Sequence, residues 1–230
     1  MRLGALLALC PAPAEACRLA LVLAIDVSSS VDAREDALQR RGLASALIAP
    51  EVVEAFFVSP DPVALAVFEW SGRYNQELLL DWVLLDEEAD LLAAAERIGF
   101  SRRSHNDFPT AMGYALGYAA TLLDRAPVCA FRTIDIAGDG VNNDGFGPAE
   151  AYAAFPFDGV TVNGLVVNAA DFEGEINLIP FFQDEVIRGP GAFIEIAGGF
   201  EDYAGAMERK LIRELSALAV GALAAEDDAG

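Results

Sequence analysis

Two kinds of apolar pattern alternate along the chain. Short continuous apolar runs are typical of strands buried on both faces of a parallel sheet, and longer segments repeat apolar residues at the spacing of one helix face. The runs that predict strands are Arg18–Asp26, Pro62–Ser71, Glu77–Leu85, Ala130–Gly140, Gly159–Asn168 and Ala192–Ala197. The segments that predict helices are Asp32–Leu47, Glu87–Ile98, Phe108–Asp124, Glu175–Ile187 and Glu201–Leu215.

The order of these elements predicts an α/β fold. Strands that alternate with helices form a doubly wound, mostly parallel sheet with helices on both faces, here six-stranded and Rossmann-like. The short turn-like link "SGRYNQ" joins the second and third strands, so we expect the third to be an antiparallel edge strand. The length of 230 residues fits one large domain.

The first residues have the features of a secretory signal. Arg2 is a positive start, Leu3 to Leu9 are apolar, and Ala14-Glu15-Ala16 resembles a cleavage site. We therefore expect a signal peptide over 1–16, a folded domain over 17–217, a polar C-terminal tail over 218–230, and a periplasmic or secreted protein. The alternative is the ordinary N-terminus of a cytosolic protein. Pro, Gly and acidic residues interrupt every later apolar stretch, so no membrane span is predicted.

Two cysteines have matching positions on two predicted strands. Cleavage after Ala16 would remove Cys10 and leave Cys17 and Cys129. Cys17 lies nine residues before Asp26, and Cys129 lies ten before Asp139. If both acids end neighbouring parallel strands, the cysteines lie level at the opposite ends, where a disulfide is geometrically plausible. Two free buried thiols are the alternative.

The charge balance narrows the range of partners. The chain has 36 acidic and 15 basic residues, a formal net charge of −21. Nucleic-acid binding needs basic surface, so this charge argues against it, and it also disfavours an anionic membrane surface. Such a charge serves solubility, or it attracts divalent cations; the charge alone leaves both open.

The first strand ends on polar side chains in the stretch "AIDVSSSVD". Asp26, Ser28 and Ser30 stand at alternate positions, which point to the same side of an extended chain. A carboxylate and two hydroxyls are hard oxygen ligands, suited to Mg²⁺, Mn²⁺ or Ca²⁺. His105 is the single histidine, so a zinc-type ligand set is not supported. The alternative role is capping of the next helix, for which Asp32 is also available.

Three loops together resemble a known family. "AIDVSSS" is similar to the first loop of the metal-ion-dependent adhesion site (MIDAS) of von Willebrand factor type A (VWA) domains, "TAMGYAL" to the second, and "IDIAGDG" to the third. The order and spacing match that family from about Arg18 to Leu215. The amino-acid sequence of these loops is most similar to that of a bacterial VWA-related group of unknown function (DUF1194-like).

The resemblance implies a VWA-type fold, a metal site and a mode of binding. Its metal residues would be Asp26, Ser28, Ser30, Thr110 and Asp139, with Mg²⁺ as the expected ion and Mn²⁺ or Ca²⁺ as alternatives. An acidic side chain of a partner protein would complete the ion's shell. The implied function is an exported, metal-dependent protein-binding module. Capping for Thr110 and a glycine-flanked turn for Asp139 are the alternatives.

Residues around the loops are candidates for a partner-binding rim. They are Ser29, Arg103, His105, Asn142 and Asn143. Turn formation by the asparagines and plain solvent exposure of Arg103 and His105 are the alternatives. Two departures from the family are evident: Ser29 stands where many relatives have glycine, and "SRRSHNDFP" replaces a glycine-rich approach to Thr110.

Enzymatic functions fit the sequence less well. A Mg²⁺-dependent phosphohydrolase of the haloacid dehalogenase kind needs a second acid where Ser28 stands, and a lysine, of which Lys210 is the only one. A serine hydrolase needs a G-x-S-x-G elbow, which is absent, and would have to use His105 as its base. We therefore expect a protein that is not an enzyme. A structural VWA domain without ligand is the further alternative.

Overall fold

A mixed six-stranded sheet forms the centre of the part of the chain that is described. The computed structural model describes residues 17–168 and 177–227. The strands are β1 (Cys17–Asp26), β2 (Val63–Trp70), β3 (Gln76–Leu85), β4 (Cys129–Gly138), β5 (Val160–Val167) and β6 (Ile194–Ala197). Their order is β3-β2-β1-β4-β5-β6, and only β3 is antiparallel to its neighbour. The predicted doubly wound sheet with an antiparallel edge strand is confirmed.

Helices cover both faces of this sheet. The helices are α1 (Ala33–Leu47), α2 (Pro50–Phe56), α3 (Glu88–Gly99), α4 (Met112–Asp124), α5 (Pro148–Ala154), α6 (Leu178–Phe181) and α7 (Tyr203–Asp227). One apolar core joins the sheet to α1, α2, α3 and α7, and a second joins it to α4, α5 and α6. All residues of β1 are buried between the two cores, which explains its continuous apolar run.

Several element boundaries differ from the predictions. The short helices α2 and α5 were not predicted; both carry proline in the first turn and have too few turns for a clear apolar period. The helix predicted over Glu175–Ile187 is α6 followed by a π-helical turn, Phe182–Val186. Residues 169–176 lie outside the described range. The helix predicted over Phe108–Asp124 begins only at Met112, after Pro109.

The last helix is longer than predicted. The apolar pattern predicts an end at Leu215, but α7 runs to Asp227. The domain over 17–217 and the polar tail over 218–230 stay predictions. Alanine and leucine dominate the stretch "SALAVGALAA", and both have high helix propensity, which outweighs the acids that follow. None of the helices in the described residues is long and apolar enough to cross a membrane. The predicted signal peptide, 1–16, lies outside those residues.

A disulfide links the first residues of two central strands. Cys17 and Cys129 pair directly across β1 and β4, with their Cα atoms 4.5 Å apart. The pairing expected from their spacing is therefore present in the structure, rather than two free thiols. The bond closes a separation of 112 residues and ties together the sheet edge opposite Asp26.

Loss of this disulfide is predicted to reduce stability. Replacing both cysteines by serine should lower the free energy of unfolding by about 2–5 kcal/mol, because the long closed loop no longer constrains the unfolded chain. Denaturant unfolding measures the loss. A thiol titration of the mature protein under denaturing, non-reducing conditions should find neither cysteine free; two free thiols would contradict the bond.

A buried ionic cluster lies between α7 and the sheet. The ammonium of Lys210 is 2.6 Å from a carboxylate oxygen of Asp135 on β4 and 3.7 Å from one of Glu214. Asn163 on β5 donates to Glu214 at 3.0 Å. All four side chains are buried. Burial raises the pKa of Glu214 to about 7, Lys210 opposes this shift and Asp135 adds to it. Two carboxyls sharing one ammonium thus favour a proton on the pair.

The cluster predicts a specific pH dependence of folding. Because the pKa of Glu214 is higher in the folded protein than in the unfolded chain, stability should fall as the pH rises from about 4.5 to about 7 and then level off. Glu214→Gln should make this loss of unfolding free energy smaller, by up to about 3 kcal/mol, because the glutamine cannot ionise. Denaturant unfolding at pH 5 and pH 8 measures it, with Glu208→Gln on the same helix as control. An unchanged pH dependence in Glu214→Gln would contradict the assignment.

Candidate metal centre

The predicted metal residues converge where the strand order reverses. The chain leaves β1 toward β2 on one side and later returns to β4 on the other, so the β1–β4 pair forms the switch point at which ligands bind in such sheets. Asp26 ends β1 and Asp139 follows β4. Thr110 lies just before α4, the crossover helix that leads to β4.

Hydrogen bonds connect the five residues, four of them through their side chains and Asp26 through the backbone of Ser28. The Thr110 hydroxyl donates to the Ser28 hydroxyl at 3.2 Å, and the Ser28 and Ser30 hydroxyls are 3.1 Å apart. The Ser30 hydroxyl donates to an Asp139 carboxylate oxygen at 2.8 Å. The backbone N–H of Ser28 donates to Asp26 Oδ1 at 2.7 Å. The structure therefore brings together all five residues that the sequence singled out.

Asp26 is the most constrained member of this group. It is 2% exposed, and its Oδ2 is buried without a hydrogen-bond partner. Burial first, and then the negative charge of Asp139, raise the pKa of Asp26 to about 8, while the hydroxyl and N–H of Ser28 and the N–H of Asp139 oppose the shift. A buried carboxylate with one unpartnered oxygen, facing a second carboxylate, requires a positive charge to be stable in its ionised form.

The ligand chemistry fits a hard cation. Asp26 and Asp139 offer carboxylates, while Ser28, Ser30 and Thr110 offer neutral hydroxyls, a set suited to Mg²⁺, Mn²⁺ or Ca²⁺. No group of three or more His, Cys, Asp and Glu residues is assembled in the described residues. The donor set therefore differs from the nitrogen and sulfur sites typical of zinc.

Capping does not account for these side chains. The N-cap of α1 is Asp32, whose carboxylate accepts from the N–H groups of Arg34 and Glu35, so Ser28 and Ser30 are not needed there. The N-cap of α4 is Ala111, which leaves Thr110 outside the helix. Instead, the Ser30 hydroxyl donates to Asp139, and the hydroxyls of Ser28 and Thr110 are bonded to each other.

Two glycines allow the loops to approach closely. A Cβ on Gly138 would lie 3.2 Å from Asp26 Oδ2 and crowd the buried carboxylate. A Cβ on Gly113, in the first turn of α4, would lie 2.2 Å from the carbonyl oxygen of Phe146. Glycine at this position of "TAMGYAL" thus lets the third loop pack directly on α4.

The second and third loops are joined by their backbones. The N–H of Thr110 donates to the Asn143 side-chain oxygen at 2.9 Å, and the N–H of Asn143 donates back to the Thr110 carbonyl at 2.9 Å. Asp144 also forms an ion pair with Arg73 at 2.6 Å, which ties the third loop to the β2–β3 turn. Asn142 lies beside this link, and its side-chain oxygen is buried without a partner.

The remaining candidates for the rim occupy different environments. Ser29 is exposed, and its N–H donates to the Phe108 carbonyl at 2.8 Å. His105 is half-buried, with Nδ1 2.8 Å from the Ser104 hydroxyl and its ring edge-to-face with Phe108. Arg103 extends beneath the first loop, where its guanidinium donates to backbone carbonyls.

Sequence reasoning missed the residues that support the site from below. Gln39 donates to the Asp26 carbonyl at 2.7 Å. Glu69, fully buried at the end of β2, forms an ion pair with Arg40 and accepts from the N–H of Ser104 at 2.7 Å. One signal was available: Glu69 is a charged residue inside the apolar run "PVALAVFEWS", and a buried charge requires a partner.

Solved structures share this fold at low sequence identity. A von Willebrand factor type A protein from Catenulispora acidiphila matches with a TM-score of 0.60, 18% identity and coverage of 86% of this chain and 43% of its own. A second neighbour is proximal thread matrix protein 1 of the mussel byssus, described with a zinc-occupied MIDAS motif. It matches with a TM-score of 0.59 and 13% identity, and the match covers 88% of this chain and 48% of its own. The pilus adhesin SpaC from Lactobacillus rhamnosus GG matches with a TM-score of 0.59 and 13% identity, and the match covers 88% of this chain and 30% of SpaC.

These neighbours extend well beyond the shared domain. The chain spans less than half the length of each of the three, so the likeness concerns one domain of larger proteins. At such identities it establishes the VWA-like fold alone. A search of curated proteins finds no significant match.

A family model covers nearly the whole domain. Residues 16–219 match the family described as "Protein of unknown function (DUF1194)". This range contains all three loops that form the candidate metal centre. The chain belongs to the DUF1194 family, and its domain has the fold of a von Willebrand factor type A domain.

Proposed function

We propose that this protein is a protein-binding module whose binding depends on a divalent metal ion held by Asp26, Ser28, Ser30, Thr110 and Asp139. One observation carries the proposal: four oxygen-bearing side chains from three loops converge on a fifth, the buried carboxylate of Asp26, which has an unpartnered oxygen. Mg²⁺ is the ion we expect, with Mn²⁺ and Ca²⁺ as alternatives, because all the donors are hard oxygens.

The composition of the site explains why it would bind an acidic partner. Asp26 and Asp139 balance the charge of a dication, but five protein oxygens leave one position of an octahedral Mg²⁺ open. A position left to water on the solvent side can accept one more carboxylate. Ser30 and Ser29 are exposed at this edge of the sheet, so an acidic side chain of a partner protein has access.

The charge of the chain restricts the partner further. A net charge of −21 repels polyanions, so nucleic acid is not the expected ligand. The same charge means that an acidic partner is attracted only through the bound ion. The neighbours described as an adhesin and a matrix protein are consistent with protein binding outside the cytoplasm, and we propose a periplasmic or secreted location.

The environment of Lys210 argues against a phosphohydrolase. This lysine, the only one in the chain, is fully buried and paired with Asp135. Asp135 lies four residues before Asp139 on an extended strand, roughly 13 Å from the metal residues along β4. The lysine is therefore engaged between α7 and the sheet, and we infer a role in binding rather than catalysis.

Metal binding is tested by calorimetry on Asp26→Ala. We expect the wild-type protein to bind Mg²⁺, Mn²⁺ or Ca²⁺ at millimolar concentration or below, and the variant to bind at least about tenfold more weakly, because it loses a charged ligand. Asp107→Ala removes the same charge from an exposed position on a neighbouring loop and should bind like the wild type. A wild-type protein that binds none of the three ions would contradict the metal site.

Partner binding is tested by metal removal. Immobilised wild-type protein should capture a protein from an extract of the native cell envelope in the presence of Mg²⁺ and release it with chelator, because the ion bridges the two proteins. The Asp26→Ala variant should capture no partner either in Mg²⁺ or in chelator. The Asp107→Ala control should behave like the wild type and capture the partner in Mg²⁺ but not in chelator. Capture that persists in chelator would mean that binding does not depend on the metal.

A further inference from the structure

The guanidinium of Arg103 binds the backbone of the first metal loop. Nη1 donates to the Val31 carbonyl at 2.6 Å, and Nη2 donates to the carbonyls of Val27 at 2.7 Å and Ser28 at 2.9 Å. One planar side chain thus engages three of the carbonyls in the five-residue loop that carries Ser28 and Ser30. Hydrogen bonds from a charged donor are stronger than those between neutral groups.

The N–H groups of the same loop are also engaged. The Val27 N–H donates to the Trp70 carbonyl at 2.8 Å, and the Ser29 N–H donates to the Phe108 carbonyl at 2.8 Å. The Ser28 N–H is bonded to Asp26 Oδ1, and the Val31 N–H donates to the Ser28 carbonyl at 3.0 Å. The backbone is therefore held by hydrogen bonds from two directions, and the carbonyls of Val27, Ser28 and Val31 are occupied by donors.

A buried ion pair fixes Arg103 in turn. Glu69 accepts from the N–H of Ser104, the next residue along the chain, at 2.7 Å. Glu69 is held by Arg40, which also donates to the Ser101 hydroxyl at 2.8 Å. The residues on both sides of Arg103 are therefore anchored to α1 and β2. This arrangement depends on "SRRS", the segment that departs from the glycine-rich approach of VWA domains.

We infer that Arg103 is a positioning residue that makes the proposed metal site selective for Mg²⁺ over Ca²⁺. This inference rests on the proposed function. Ca²⁺ takes six to eight oxygen ligands, often including backbone carbonyls, in flexible sites, whereas Mg²⁺ accepts fewer protein ligands in rigid geometry and retains water. Arg103 withholds the Val27 and Ser28 carbonyls from the ion and stiffens the loop, and both effects disfavour Ca²⁺.

Calorimetric titration of the full chain with Mg²⁺ and with Ca²⁺ tests the role of Arg103. In Arg103→Gln we expect Kd for Mg²⁺ to rise about tenfold, because the loop loses its order, and Kd for Ca²⁺ to rise much less or to fall. The ratio of the two constants should therefore shift toward Ca²⁺. Arg103→Lys keeps the charge but not the planar fork, so it should shift the ratio in the same direction by less.

Two measurements separate selectivity from general stability. Arg102→Gln is the matched control, because Arg102 is exposed and makes no hydrogen bond or ion pair with the described residues; it should leave both constants unchanged. Thermal unfolding of each metal-free variant identifies any that does not fold. If Arg103→Gln fails to fold, the ratio measured in Arg103→Lys decides.

Each outcome separates this inference from the proposed function. A ratio shifted toward Ca²⁺ in the Arg103 variants alone supports the inference, and a ratio shifted toward Mg²⁺ would overturn it. Equal changes in both constants would overturn it: equal rises would mean general destabilisation, and equal falls would mean that the guanidinium charge dominates. Unchanged constants would overturn it as well while leaving the metal site intact. A wild-type protein that binds neither ion would overturn the proposed function and this inference together.

Discussion

The unpartnered oxygen of Asp26 is the constraint on which the rest of the site depends. A buried carboxylate is costly unless its oxygens find donors or a cation, and here Oδ1 accepts from the N–H of Ser28 while Oδ2 is buried without a hydrogen-bond partner. Gly138 leaves room for that group, and the hydroxyls of Ser28, Ser30 and Thr110 are small polar neighbours, whereas the facing carboxylate of Asp139 adds a negative charge that only a cation would offset. The sheet supplies the position, because the carboxyl ends of β1 and β4 meet at its switch point.

Rigidity around this carboxylate comes from interactions that differ in kind. Apolar packing buries β1 between two cores, and the disulfide joins its first residue to β4 at the far edge. Nearer the site, ionic groups dominate: Arg40 and Glu69 fix the segment that carries Arg103, and Arg103 fixes the first loop. A site built on strands and braced by charged hydrogen bonds changes little when it binds an ion, which is how ligand geometry is converted into selectivity.

The sequence anticipated much of the fold because its strongest signals are local. Buried parallel strands read as continuous apolar runs, and the six predicted strands all appear in the described residues with small changes at their ends. The helices that were missed or misplaced are those where local signals conflict: α2 and α5 are short, Pro180 interrupts the segment around α6, and the acids in the last turn of α7 obscured its helical continuation. Tertiary packing decided these cases, since propensity alone is a weak guide for short segments.

The sequence by itself determined which residues carry oxygen chemistry and at which edge of the sheet they lie, because alternation and strand direction are local properties of the chain. It also indicated the alignment of Cys17 with Cys129, because parallel register follows from strand lengths. Only the tertiary structure decided how Arg103, Asn143 and Glu69 act, because their partners lie on other loops and strands far along the chain. Arg103 illustrates the difference. Its charge suggests a side chain that faces solvent, but its guanidinium lies beneath the first loop because it donates to three backbone carbonyls there.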